Sequence, residues 1–319
     1  MSSTDASVGA ERVVTSASGV RIIAGPTGAG KSALAMALAE AHGARIISAD
    51  SRQIYKGFDI GTAKPSREDQ QRVPHAGLDV AAPTERWNAA RWADAARGWL
   101  AEDAAAGRPT LVVGGTGLWL QALVRPLAEE PPMDAAQRTA LQSELAALST
   151  DALRRWVERL DPARAHLGRA QLTRAAEVTL LSGTRLSDWH AQGPSTAPLT
   201  ARWLIVDPGA ALEHRLDRRR ATMLEAGWLG EVRALAAAVP DEAPAWNACG
   251  YREIRGVVQG TRPLEEALER VRISTRQYAK RQRTWFRNQL EEVGPVTRLD
   301  PTAAEAAVVV ERWFCEEAS

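Results

Sequence analysis

Cysteine is almost missing from this chain. Only Cys249 and Cys315 occur among 319 residues, far apart and forming no C-x-x-C. That excludes a disulfide scaffold and a cysteine zinc finger, and it fits a reducing cytoplasm. Histidine is scarce too. His42, His75, His166, His190 and His214 show neither H-x-x-H nor H-x-x-x-H spacing, so histidine–metal chemistry is not expected. No apolar run approaches the roughly 18 residues of a membrane helix. Charge of one sign is lacking: the formal net charge is +1, so any nucleic-acid site must be a local patch. There is no internal repeat, no long low-complexity tract and no nucleophile elbow. Residues 1–19 are mostly small and polar, lack an apolar h-region, and read as a disordered tail rather than a signal peptide. What remains is ordinary for a globular protein: 45% hydrophobic and 25% charged residues, with length for one large or two small domains.

Lysine is the last scarcity, and it makes one lysine conspicuous. The chain has only Lys31, Lys56, Lys64 and Lys280 against a large excess of arginine. Lys31 sits in Gly25-Pro26-Thr27-Gly28-Ala29-Gly30-Lys31-Ser32, a full match to G-x-x-x-x-G-K-[ST]. Such a match arises by chance roughly two times in a thousand chains of this composition. An apolar run precedes it and an alanine- and leucine-rich run follows, the strand–loop–helix context that gives the motif meaning. Backbone N–H groups from Gly25 to Ser32 can wrap a di- or triphosphate. Lys31 adds a mobile positive charge, and the Ser32 hydroxyl can ligate Mg2+.

Strand patterns recur at Val20–Ala24, Arg45–Ser48, Thr110–Val113 and Trp203–Val206, and more weakly at Val296–Leu299. Helical patterns cover Lys31–His42, Asn88–Ala106, Gly117–Leu123, Ala210–Ala226, Leu229–Ala238, Leu264–Asn288 and Thr302–Cys315. Alternation of this kind predicts an α/β fold: a P-loop NTPase-like parallel sheet with helices on both faces and ligands at the carboxyl ends of its strands. Between about Pro126 and Pro198 the pattern is helical only, over Ala135–Leu148, Asp151–Leu160, Asp161–Leu167 and Leu172–Ser182. We read residues 126–200 as an all-helical insertion domain between core segments 20–125 and 201–319. The alternative is that these helices pack on the sheet.

Several groups sit where the sheet would bind ligand. Asp50 follows the strand ending at Ser48, where a carboxylate can accept a proton, hold a metal or cap a helix. Asp207 ends another strand, but Pro208 after it favours a cap. Gly114-Gly115-Thr116-Gly117 can form a second backbone nest or a plain tight turn, with the Thr116 hydroxyl on the same rim. Arg215 and Arg219, four apart on one helix face, suit a diphosphate, although a solvated arginine face is the alternative. From Arg270 to Leu290 there is no acid, and Arg272, Arg276, Lys280, Arg283 and Arg287 lie opposite an apolar face of Leu264, Leu268, Val271, Tyr278 and Trp285. Such a stripe suits nucleic-acid phosphates or plain solvation, with Tyr278 and Trp285 read as core.

Taken in order, six blocks resemble the tRNA dimethylallyltransferases, and the resemblance runs from about Arg21 to Arg287. They are GPTGAGKS, SADSRQIYKGFDIGTAKP, VPH followed by LD, LVVGGTGLWLQAL, RLDRRRATMLEAG and TRQYAKRQRTWFR. The resemblance implies transfer of a dimethylallyl group from dimethylallyl diphosphate to N6 of the adenine beside the anticodon in tRNA, with RNA and allyl diphosphate meeting in a channel. It implies Asp50 as general base, Thr116 as support for the reaction centre and Arg219 as a diphosphate contact. Ser48, Ser51, Gln53 and Lys64 would lie against the tRNA base. Lys280, Arg281, Gln282 and Trp285 match an RNA-proximal block, joined by Arg276 and Arg283 of the stripe. Gly25, Thr27, Gly28, Ala29, Gly30, Lys31, Ser32 and Arg215 would hold the diphosphate, with Mg2+ on Ser32. A cytoplasmic, monomeric enzyme of bacterial type, without a zinc-finger extension, is expected. The chain departs from the family pattern at Ala76-Gly77, Trp119 and Gln171. Competing readings are a nucleotide kinase, an isopentenyltransferase acting on free AMP or ADP, and a nucleotide-gated RNA-binding module.

Overall fold

The computed structural model describes residues 19–128, 131, 133–193, 196–290 and 294–316. The expected tail falls outside them, apart from Gly19. The chain forms two compact units, one spanning Met1–Val124 and Leu199–Ser319, the other Arg125–Pro198.

The first unit is built on a six-stranded sheet. Its strands are β1 (Val20–Ala24), β2 (Arg45–Ser48), β3 (His75–Ala76), β4 (Thr110–Gly114), β5 (Ala201–Val206) and β6 (Val296–Leu299). They are ordered β3-β2-β4-β1-β5-β6, and every pairing is parallel. The strands read as continuous apolar runs because both faces are covered. Along β1, Ile22 and Ala24 face a core shared with Val112, Trp203 and Ile205. Ile23 points the other way, into a core with Leu111, Leu204, Leu38 and Phe314. Alternation thus splits one run between two cores.

The helices of this unit are α1 (Lys31–His42), α2 (Arg67–Arg72), α3 (Ala89–Ala105), α4 (Gly117–Val124), then, after the second unit, α9 (Leu212–Glu225), α10 (Trp228–Ala238), α11 (Tyr251–Val258), α12 (Leu264–Asn288) and α13 (Ala306–Cys315). Three of these elements, β3, α2 and α11, were not legible in the sequence. Helix α13 starts four residues later than expected, because Asp300 Oδ1 accepts from both the Thr302 N–H and its hydroxyl and holds that stretch in a turn.

Helix α12 departs from its simple wheel. Its buried residues are Ala267, Val271, Ala279, Gln282 and Phe286, whereas Leu264 is 40% exposed. The helix packs on α11, α9 and α4 at different points along its length, so no single stripe is buried throughout. Trp119 of α4 is core, stacked on Trp92 with ring centroids 5.3 Å apart. Gly77 has φ 78°, and a Cβ there would lie 2.8 Å from the Ser48 carbonyl oxygen, so the turn after β3 has no room for a side chain.

The second unit contains α5 (Ala135–Ala147), α6 (Thr150–Leu160), α7 (Arg169–Ser182) and α8 (Leu186–Ala191), with no strand among its described residues. Leu145, Leu153, Val157, Leu172 and Leu186 close its own core. The helix expected over Asp161–Leu167 is a single 3-10 turn, Pro162–Arg164. Arg138, Gln142 and Arg174 converge on the buried Glu177 carboxylate. Gln171, one of the departures from the family pattern, is exposed at the start of α7.

Candidate active site

The parallel arrangement brings four strand ends to one rim. The cradle follows β1, Asp50 follows β2, Thr116 follows β4 and Asp207 follows β5. In the cradle, Gly25 has φ 146°, and a Cβ there would lie 2.1 Å from the Val206 carbonyl oxygen, so only glycine lets β1 turn beside β5. Gly30 caps α1 with φ 100°. Lys31 folds back, and its Nζ donates to the Pro26 carbonyl at 2.9 Å. Burial pushes the Lys31 ammonium down to about 8; the Asp50 carboxylate opposes that shift and Arg219 adds to it. Ser32 is exposed at the first turn of α1. Arg215, from α9, donates to the Ala29 carbonyl at 3.1 Å.

Asp50 begins no helix; its Oδ1 accepts the Arg52 N–H at 2.9 Å in a local turn. Its Oδ2 has no hydrogen bond among the described residues. Thr116 is tied beside it: its N–H donates to the Ala49 carbonyl at 3.3 Å, and its Oγ1 accepts the Ser51 N–H at 3.1 Å. The Tyr278 phenol lines the cavity beside Asp50; burial first, then the negative charge of Asp50, pushes it well above its usual range. Arg219 reaches in from α9 and donates from Nη2 to the Thr62 carbonyl at 3.1 Å. Burial lowers its pKa and Asp50 raises it. Asp50, Thr27, Arg219 and Tyr278 line one cavity with Leu216, Met223, Trp228 and Val271. The lining mixes charged and apolar side chains, with Arg52, Asp217 and Arg220 also contributing, and an allylic diphosphate needs both kinds of contact. A second cleft, onto which Gly28 of the cradle opens, is lined by Arg215 and Arg218 and shares Arg219 and Met223 with the first.

An IPP transferase family model matches residues 53–289, and an isopentenyl transferase model matches residues 18–79. A tRNA dimethylallyltransferase of Anaeromyxobacter sp. (strain Fw109-5) is 42% identical over 290 residues, covering 88% of this chain and 96% of its own length. The chain belongs to the IPP transferase family. A tRNA dimethylallyltransferase of Caulobacter sp. (strain K31) is 41% identical over 287 residues, covering 88% of this chain and 93% of its own. Among solved structures, a tRNA isopentenylpyrophosphate transferase of Bacillus halodurans is 28% identical with TM-score 0.65, covering 93% of this chain and 94% of that one. A eukaryotic dimethylallyltransferase captured acting on tRNA is 25% identical with TM-score 0.75, covering 91% and 77%.

This IPP transferase member redistributes the residues expected to touch RNA. Ser48 Oγ donates to Gln53 Oε1 at 2.9 Å, and Gln53 Nε2 donates to the Ala63 carbonyl at 3.1 Å, so the pair braces the loop after β2. The Lys64 side chain is 2% exposed; its ammonium donates to the Tyr55 carbonyl at 2.7 Å and pairs with Asp59 and Asp79. Gln282 is buried and bridges two loops: the Thr27 N–H donates to its Oε1 at 2.8 Å, and its Nε2 donates to the Gly115 carbonyl at 2.8 Å. Lys64 and Gln282 are thus both engaged within the protein, Lys64 on the wall of the second cleft and Gln282 between the cradle and the Gly115 loop. Arg283 forks onto Asp207, with Nε donating to Oδ2 at 2.9 Å, while Asp207 Oδ1 accepts the Gly209 N–H at 3.0 Å. Asp207 thus closes a local turn and pairs with Arg283, while the cap expected of it falls to Pro208, without a side-chain hydrogen bond. Arg276 lies 3.5 Å from both Glu213 and Asp217 of α9.

Three residues of the expected basic stripe, Arg272, Arg276 and Arg283, are paired within the protein. Lys280 and Arg281 stay exposed, and with Trp285 they line a shallow groove on α12. Sequence reasoning missed Tyr278, read as core but facing Asp50 from the cavity wall. Its signal was its place one turn before Gln282 on the same helix face. Arg52, which lines the same cavity, had no signal beyond its closeness to Asp50.

Proposed function

We propose that the cavity carries a dimethylallyl diphosphate whose allyl group is transferred to N6 of the adenine immediately 3′ of the anticodon of a tRNA. The observation that carries this reading is the convergence of Lys31 and Asp50 from the sheet rim with Arg219 from α9, beside a cavity that Leu216, Met223, Trp228 and Val271 help to line. An exocyclic adenine amine is a weak nucleophile because its lone pair is delocalised into the ring. As its nitrogen attacks the terminal allylic carbon, it loses a proton, and Asp50, whose Oδ2 is unengaged, accepts it. The carbon–oxygen bond breaks and its electron pair stays on the diphosphate oxygen. Cradle N–H groups, Lys31, Arg219 and Arg215 face that growing charge. Thr116, held by Ser51 and the Ala49 carbonyl, supports the space between acid and cradle. A base in the anticodon loop must leave its stack to reach this depth, which costs less in a loop than in a duplex.

A magnesium ion fits the donor set. The exposed Ser32 hydroxyl opens α1, and diphosphate oxygens in the cradle would supply hard ligands of the kind Mg2+ prefers alongside retained waters. Bound there, it would neutralise leaving-group charge. No helix among the described residues is long and apolar enough to cross a membrane. We take the enzyme to be cytoplasmic and monomeric.

The exposed Lys280 and Arg281 favour RNA over free AMP as acceptor. The deciding experiment offers purified protein, magnesium and radiolabelled dimethylallyl diphosphate an anticodon stem-loop with adenine next to the anticodon, and AMP in parallel. Label in the RNA supports the proposal. Label in AMP alone assigns a free-nucleotide prenyltransferase, and ATP turnover without label returns the cradle to phosphoryl transfer.

A further inference from the structure

Arg219 is aimed by a loop rather than by an acid. Among the described residues the Thr62 carbonyl is its one hydrogen-bond acceptor, at 3.1 Å. The same carbonyl accepts from Gln53 Nε2 at 3.3 Å. Thr62 belongs to an irregular segment between β2 and α2, and Ala63 beside it has φ 48°, a left-handed conformation that a non-glycine residue adopts at a cost. Something must hold this segment in place.

That anchor is a carboxylate on α10. Glu231 Oε2 accepts the Asp59 N–H at 3.0 Å and the Ile60 N–H at 2.6 Å, and its Oε1 lies 3.5 Å from the Gly61 N–H. Three successive backbone N–H groups turned to one carboxylate form an anion nest. Tyr251 locks the arrangement from α11. Its hydroxyl donates to Glu231 Oε1 at 2.6 Å and accepts the Gly61 N–H at 3.1 Å. Gly61 lets the segment lie flat on this support, because a Cβ there would stand 2.2 Å from Trp228 Nε1. The segment therefore has two faces. Its N–H groups point to Glu231, and its Thr62 carbonyl points to Arg219.

We propose that Glu231, with Tyr251, is a positioning residue for diphosphate binding: it fixes the 59–62 segment so that the Thr62 carbonyl holds the Arg219 guanidinium against the leaving group. This rests on the reading of Arg219 as a diphosphate contact. Nothing in Glu231 itself reaches the cavity, so its effect must pass through Arg219.

The test is a double-mutant cycle on pyrophosphate binding, read by calorimetry and independent of any transfer reaction. Glu231→Gln keeps the size but puts an amide against N–H donors. It should weaken pyrophosphate about tenfold, the scale of one charge-assisted hydrogen bond, as should Arg219→Ala. In the Arg219→Ala background, Glu231→Gln should cost less than about twofold. In a transfer assay Glu231→Gln should lower kcat while leaving the KM for the RNA stem-loop unchanged. Equal losses in both backgrounds would overturn the proposal and make Glu231 merely structural, as would full pyrophosphate affinity in Glu231→Gln. If Glu231→Gln fails to fold, Tyr251→Phe, which removes one donor to Glu231, runs the same cycle with the same two outcomes. If the wild type transfers no label to RNA yet the cycle is non-additive, the proposed reaction falls and the role of Glu231 stands.

Discussion

Lys31 is poised to change charge when a diphosphate binds the cradle. Its ammonium is pushed down to about 8 by burial, with Asp50 limiting the fall and Arg219 deepening it. A diphosphate in the cradle reverses the balance. One unit charge at about 4 Å contributes about 4 kcal/mol at an intermediate effective dielectric, enough to lift the lysine by more than about two units. Binding must then draw a proton onto every Lys31 that was neutral. That fraction is about one tenth near pH 7, about half near pH 8 and about nine tenths near pH 9. Lys31 binds more protons in the complex than in the free protein, so affinity is complete below about pH 8 and falls about tenfold per pH unit above it. Calorimetry with dimethylallyl diphosphate, in buffers of different ionisation enthalpy, counts the protons. Lys31→Met supplies the baseline for protonation of the ligand itself. Uptake should exceed that baseline by about half a proton near pH 8 and approach one proton near pH 9. Equal uptake by wild type and Lys31→Met across this range would refute the argument.

Three further outcomes follow from the same geometry. Asp50→Asn should lower the transfer rate by about a hundredfold or more while RNA binding, read by gel shift, stays within about twofold; parallel loss of both would sink the general-base role. Gln282→Ala strips partners from the Thr27 N–H and the Gly115 carbonyl, so chemical denaturation should show a loss of about 2–4 kcal/mol, together with weaker pyrophosphate binding. Lys280→Ala or Arg281→Ala should reduce the salt slope of stem-loop binding by about one, whereas Arg283→Ala should leave that slope unchanged and lower stability, since Asp207 already holds its charge.

The sheet and its rim were legible because buried parallel strands leave long apolar runs, and an acid or glycine cluster at the end of such a run has few other uses. β1, β2 and β6 fall on the residues the pattern marked, and Asp50 and Thr116 stand beside the cradle as the strand ends required. Short elements such as β3 and α11 carry too little periodicity to read. Which basic residues are paired within the fold was hidden for a different reason. A helical wheel treats α12 as having one buried stripe, but three neighbours cover different parts of it, and acids distant in sequence, Asp207, Glu213 and Asp217, neutralise arginines that look free along the chain. Lys64 shows the same effect, its charge enclosed by Asp59 and Asp79. Pairing across the fold is invisible to local sequence, whereas a strand end is a local fact.

The cradle's motif usually accompanies breakage of a phosphorus–oxygen bond, and its geometry alone does not choose the bond. A P-loop stabilises charge that collects on phosphate oxygens, whichever atom departs. The nucleophile and its base decide the rest. In a phosphoryl transferase the attacking group must stand in line with the terminal phosphorus, outside the cradle. Here Asp50 and Tyr278 look into a cavity with the apolar side chains Leu216, Met223, Trp228 and Val271. Charged phosphates gain nothing from that wall, while an allyl group does. In the proposed reaction, with the diphosphate held by Lys31 and Arg219, the electrons of the broken bond would flow toward the cradle and the proton toward Asp50. That separation is what carbon–oxygen cleavage by an aromatic amine requires.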